Sequence, residues 1–157
     1  MLLGYTWLLW LHSLVRWLVL ISLLFAVYTA YKGWRHKKSF SRTDNTIRHW
    51  TATIAHIQLT IGFILYFKSP LTHYFWKNAG TAVRQSDASF FGLIHFILML
   101  AAITVITIGS ALAKRKPADN EKFKTMLLWF SIALVIISIA IPWPFSPLAN
   151  RPYIRPL

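Results

Sequence analysis

The sequence predicts an all-α integral membrane protein, a four-helix up-down bundle with both termini outside, built as one transmembrane domain over residues 1–157. Three observations carry this. Hydrophobic side chains make up 56% of the chain at a mean hydropathy of +0.49, and charged residues only 13%, against roughly 25% in soluble domains. The apolar residues gather in four runs, about 2–31, 49–67, 90–113 and 123–141. Each is near or above the roughly 20 residues that cross a 30 Å hydrocarbon layer as a helix. The basic residues fall between the runs.

The first run is longer than a span requires, so it is expected to tilt or to begin in the interface. No Lys or Arg precedes it and no small-residue cleavage site follows, so it reads as a retained helix rather than a signal peptide. The next connection, 32–48, holds Lys32, Arg35, Lys37, Lys38, Arg42 and Arg48 around a polar stretch at 39–45. The connection 114–122 holds Lys114, Arg115, Lys116 and Lys122, with Lys124 just beyond; Pro117 breaks the helix there. The opposite side has only Lys68, Lys77, Arg84, Arg151 and Arg155, and Arg16 lies inside the first run. The positive-inside rule places the two basic connections in the cytoplasm and the termini outside, as expected for a multi-pass protein of a bacterial cytoplasmic (inner) membrane. A net charge of +13 would suggest nucleic acid in a soluble protein. Here anionic lipid headgroups are a sufficient partner, and no nucleic acid is expected.

The connection 68–89 contains Ser69-Pro70, the cluster His73-Tyr74-Phe75-Trp76, and Gly80. Its aromatic residues are expected at headgroup level, with part of the connection folded back over the bundle mouth. The tail 142–157 contains five of the seven prolines. It is expected to be an extended cap anchored by Trp143 and Phe145.

The chain has no cysteine, which excludes disulfides, thiol catalysis, iron–sulfur clusters and Cys-based zinc sites. Four acids, Asp44, Asp87, Asp119 and Glu121, leave almost nothing for paired-carboxylate chemistry, and no hydrolytic activity is expected.

Ionisable groups inside membrane helices are expensive and usually functional. Four stand out: His12, Arg16, His56 and His95. At 1.5 Å per residue, His12, His56 and His95 lie about 10, 16 and 9 Å below the outer surface, whereas His49 lies about 27 Å down. His12 and Arg16 share a helical face at i,i+4. On the second helix, His49, Thr53, His56 and Thr60 form one polar seam; Thr51, Ala55, Gln58 and Gly62 form a neighbouring small or polar strip. On the third, Ala88, Gly92, His95, Met99 and Ala102 line up. The fourth offers only Ser131 and Ser138 among apolar side chains and reads as packing.

Haem is one answer to three imidazoles and an arginine in one layer. Two neutral imidazoles ligate iron from opposite faces. His12 and His95, on diagonal helices of a simply wound bundle, are the preferred pair; Arg16 would balance a propionate. His56 would be an alternative ligand, or would bond a propionate or a quinone carbonyl. A three-histidine metal site from His12, His56 and His95 is the second answer, although no carboxylate is available to support it. The plain alternative is that each histidine is a hydrogen-bonded packing residue and Arg16 snorkels.

The segments His12-Ser13-Leu14-Val15-Arg16-Trp17 and His56 to Tyr66, His95 with Met99, and Ile141-Pro142-Trp143-Pro144-Phe145 resemble small four-helix bacterial membrane proteins labelled cytochrome b. The resemblance runs over most of the chain. It implies haem b and electron transfer for His12, His56 and His95. Dihaem membrane cytochromes b carry four histidines in two tiers, and this chain has one tier. Three functions therefore stand open. The first is a one-haem electron-transfer protein, an oxidoreductase component working with quinone. The second is a non-catalytic accessory subunit of a larger respiratory membrane complex. The third is a small histidine-based metal or proton transporter.

Overall fold

The computed structural model describes residues 2–153, whose regular secondary structure is all helix. The elements are α1 (Leu2–Arg35), α2 (Arg42–Lys68), α3 (Pro70–Lys77), α4 (Ala79–Ala82), α5 (Ser86–Ser89), a π-helical segment (Phe90–Ile94), α6 (His95–Arg115) and α7 (Asp119–Ala140). Four helical stretches are long and apolar enough to cross a membrane: Gly4–Arg35, Arg42–Lys68, Ser86–Arg115 and Asp119–Ala140. Their outward faces carry large apolar side chains such as Leu18, Ile21, Leu24, Ile57, Val135 and Ile139, as lipid contact requires.

α1 packs on α2 and α7, and α6 packs on the same two helices. This square puts α1 and α6 on one diagonal, as a simple winding predicts. The core alternates small and large residues: Leu23, Ala26 and Ala30 of α1, Ala52 and Ala55 of α2, Ala102 and Ile106 of α6, and Met126, Phe130 and Ala133 of α7. Small residues let helix backbones approach closely where lipid offers no hydrophobic drive to associate. Gly33 faces the Phe123 ring and Gly109 faces Trp129 across such approaches.

The helices run beyond their apolar cores. α1 continues to Arg35, and α2 starts at Arg42 rather than near 49. The polar stretch 39–45 is thus half helix. Ser41 causes this with a capping box: its Oγ accepts the Asp44 N–H (3.2 Å), and the Asp44 carboxylate accepts the Ser41 N–H (2.9 Å). Lys37, at φ 49°, turns the short connection. Ser41→Ala should lower unfolding stability in detergent by about 1 kcal/mol, read from the shift of a denaturation curve.

Arg48, counted among the loop cations by sequence, is buried between α2 and α6. Pro117 does separate α6 from α7, but α7 starts at Asp119, one turn before its apolar stretch.

The connection 68–89 is not a loop but three short helices. Ser69 caps α3, with Pro70 at its first position. Phe75, 4% exposed, sits where a Gly92 Cβ would stand. The Thr72 hydroxyl donates to the Tyr66 carbonyl (2.5 Å), and the Tyr66 hydroxyl donates to the Gly92 carbonyl (2.7 Å). These contacts fold the segment back over one end of the bundle, as expected. Its aromatic cluster divides: Phe75 is buried, while Tyr74 and Trp76 are exposed.

The tail is non-helical through Tyr153; the expected cap at 154–157, with Arg155, lies outside the described residues. Trp143 anchors it by donating Nε1–H to the Ser138 carbonyl (2.8 Å). Phe145 stacks on Trp143 and is 75% exposed. Further along, Arg151 pairs with Asp87 (2.7 Å), and Arg16 and Trp17 both donate to the Tyr153 carbonyl (2.5 and 3.1 Å). The tail therefore crosses this end of the bundle from α7 to α5 and α1.

Candidate functional site

A cavity of about 370 Å³ opens at the tail end of the bundle between α1, α2 and α6, roofed by the start of α3. That volume lies within the roughly 300–1,000 Å³ range of small-molecule sites. Tyr5, Leu9 and His12 line it from α1; Gln58, Leu59, Gly62 and Tyr66 from α2; His95, Phe96, Met99 and Ile103 from α6. Ser69 to Thr72 close the top, beside Phe91 of the π segment and Arg151 of the tail. The walls are mainly apolar, with a few polar groups converging on them.

His12 and His95 meet here. Their ring centroids are 6.4 Å apart and their planes cross at 71°. His95 reaches this position because the π segment precedes it; one extra residue in that turn rotates the start of α6, a device common at functional sites. Its Nδ1–H donates to the Ala140 carbonyl at the end of α7 (2.8 Å). A carbonyl only accepts, so the proton is on Nδ1 and the Nε2 lone pair is free. Phe90 and Phe91 flank the ring at 5.6 and 6.2 Å. His12 lays its Nδ1–Cε1 edge against α2 at Gly62, where a Cβ would come within 3.3 Å of Cε1. The glycine makes room for the imidazole.

His56 does not join them. It is exposed on the far side of α2, with its Nδ1–H donated to the Ala52 carbonyl (2.7 Å) and Nε2 3.2 Å from the Thr107 hydroxyl. Depth and azimuth both separate His56 from the pair: its partner Thr107 stands twelve residues beyond His95 on α6, about 18 Å along the helix axis at 1.5 Å per residue. α2 meets α1 through Thr51, whose hydroxyl donates to the Ser22 carbonyl (3.3 Å), and through Gln58 and Gly62 at His12, so the strip Thr51, Ala55, Gln58 and Gly62 faces inward while His49, His56 and Thr60 are exposed. Among the described residues no three histidine, aspartate or glutamate side chains gather to hold a metal ion; of the three histidines only His12 and His95 come together.

Arg16 is not on the cavity wall. The folded-back tail presents the Tyr153 carbonyl to it, and its guanidinium also reaches the Ser13 hydroxyl (3.4 Å). Arg151 is the cation on the wall. It lies over Phe91, 4.9 Å from the ring centroid, and pairs with Asp87. By sequence Arg151 counts only among the connection cations, because nothing local says where a proline-rich tail comes to rest.

Gln58 is the other wall residue to which the sequence assigns no role. It is 9% exposed, and its Nε2 donates to the His12 carbonyl (2.9 Å). Its Oε1 and the His12 Nδ1 are both buried without a partner.

No protein-family model, curated protein or solved structure matches the chain.

Proposed function

We propose that this chain is a b-type cytochrome-like membrane protein that holds one haem b between His12 and His95 and takes part in electron transfer. The observation that carries the reading is the histidine pair. Two imidazoles on opposite faces of one metal, each bonded at about 2 Å, have centroids roughly 6 Å apart. His12 and His95 lie at 6.4 Å on diagonal helices. The apolar wall and the free Nε2 of His95 suit the same group.

Bound haem supplies one-electron chemistry at a potential set by its axial ligands and burial. The protein's own residues do the rest. Ala140 fixes the tautomer and direction of His95, the kind of outer-shell bond that ligating histidines need. Phe91, Phe96 and Met99 give the cavity an apolar wall. Arg151 is the cation available to an anionic edge, in place of Arg16. A quinone dissolved in the bilayer is the proposed redox partner, since the outward helix faces are apolar. In this reading the termini and the cavity face outward across a bacterial inner membrane, and the two basic connections face the cytoplasm.

The test is the oxidised and reduced absorption spectrum of the detergent-purified protein, as isolated and after titration with haemin. The expected result is a Soret band that is lost in His12→Ala and in His95→Ala and kept in His56→Ala. No Soret band after titration, or a band unchanged in the His12 and His95 variants, sinks the reading.

A further inference from the structure

We infer that Gln58 is the positioning residue of His12: its side-chain oxygen accepts the His12 Nδ1–H and so holds the opposite ring nitrogen, Nε2, unprotonated toward the cavity. Four observations lead there. The Gln58 amide already grips α1 at the His12 carbonyl, at 2.9 Å. Because that carbonyl only accepts, the amide must offer it Nε2–H, which leaves Oε1 as an acceptor. Oε1 is buried and has no partner. The His12 Nδ1 is also buried without a partner, and its ring edge faces α2 at Gly62, one turn along from Gln58 and on the same helical face.

A buried donor and a buried acceptor, on two residues already in contact, each carry a desolvation cost until they pair. Pairing the two would relieve both costs at once. His12 then matches His95, whose Nδ1–H is held by the Ala140 carbonyl. Both rings present Nε2 to the space between them, one oriented by a backbone carbonyl and the other by a side-chain amide. Only the consequence for ligation rests on the haem reading; the hydrogen bond itself does not.

The experiment is nitrogen-15 NMR of histidine-labelled full-length protein in detergent, without added haem, which reports which ring nitrogen bears the proton. His12 is expected as the Nδ1–H tautomer. Gln58→Leu should lose that preference while His95 keeps its own, which also reports that the variant is folded. Gln58→Glu, protonated in this buried place, can donate to the His12 carbonyl and accept from Nδ1, and should restore the preference. An Nε2–H tautomer in the parent protein, or a His12 signal unchanged by Gln58→Leu, overturns the inference. If Gln58→Leu does not fold, the parent tautomer decides alone. In haem-loaded protein the same loss should raise the reduction potential, because a ligand without its hydrogen-bond acceptor is less basic. A missing Soret band would sink the haem reading and leave the tautomer result standing; an unchanged tautomer would sink this inference whatever the spectrum shows.

Discussion

Gly109→Val is expected to destabilise the bundle by at least about 3 kcal/mol, the upper part of the range for overpacked cores. α6 makes its most extensive contact with α7. At Gly109 an added Cβ would overlap the Cβ of Trp129, the first side-chain atom off the opposite backbone. Rotating the indole cannot relieve that overlap, since every residue except glycine has a Cβ. The two helices must separate, and with them go the contacts of Ile106, Phe130 and Ala133 in the core. At Gly33 the overlap is instead with the far atoms of the Phe123 ring, which can move only by leaving a fully buried site. Gly80→Ala is the control, because a Cβ there meets open space. Denaturant titration in a fixed detergent measures both variants against the parent. A Gly109→Val protein within about 1 kcal/mol of the parent, the low end of the overpacking range, would show that the α6–α7 approach is looser than described.

Arg48→Met is expected to cost on the order of 3 kcal/mol, the loss of hydrogen bonds made by a charged donor. Arg48 is 5% exposed and faces no carboxylate among the described residues. Its Nε and Nη2 donate to Asn45 Oδ1 (3.2 and 2.9 Å), and its Nη1 donates to the Ser110 carbonyl (3.0 Å) and to the Ser110 hydroxyl. One planar fork thus ties the first turns of α2 to the last turns of α6. Methionine fills similar volume but leaves the Ser110 and Asn45 oxygens without these donors. Arg48→Lys keeps the charge and loses the fork, so it should recover only part of the stability. The same denaturation curves rank the three proteins, and a methionine variant as stable as the parent would remove Arg48 from the bundle's framework.

Much of the architecture was written in composition and periodicity. Four apolar runs separated by basic stretches specify four long helices, because hydrocarbon-length burial needs an unbroken apolar surface. The diagonal relation of α1 and α6 followed from short connections in a simple winding. The ends were less legible. Capping at Ser41 and Asp44 extended α2 through residues that composition alone reads as polar connection. Three short helices stand at 70–89, where hydropathy marks only an interruption.

For the site, sequence alone determined that His12 and His95 share a level on opposite helices, since rise per residue fixes depth and connectivity fixes the diagonal. Only the tertiary structure decided which strip of α2 faces inward. Two neighbouring polar strips are equally good candidates to a helical wheel; in the fold Thr51 and Gln58 bond α1 at the Ser22 and His12 carbonyls, and that strip faces inward. That turned His56 away and brought Gln58 in. The exchange of Arg16 for Arg151 has the same character: where a tail lands depends on contacts 64 and 137 residues apart in the chain, Arg151 with Asp87 and Arg16 with Tyr153, and no local pattern encodes them.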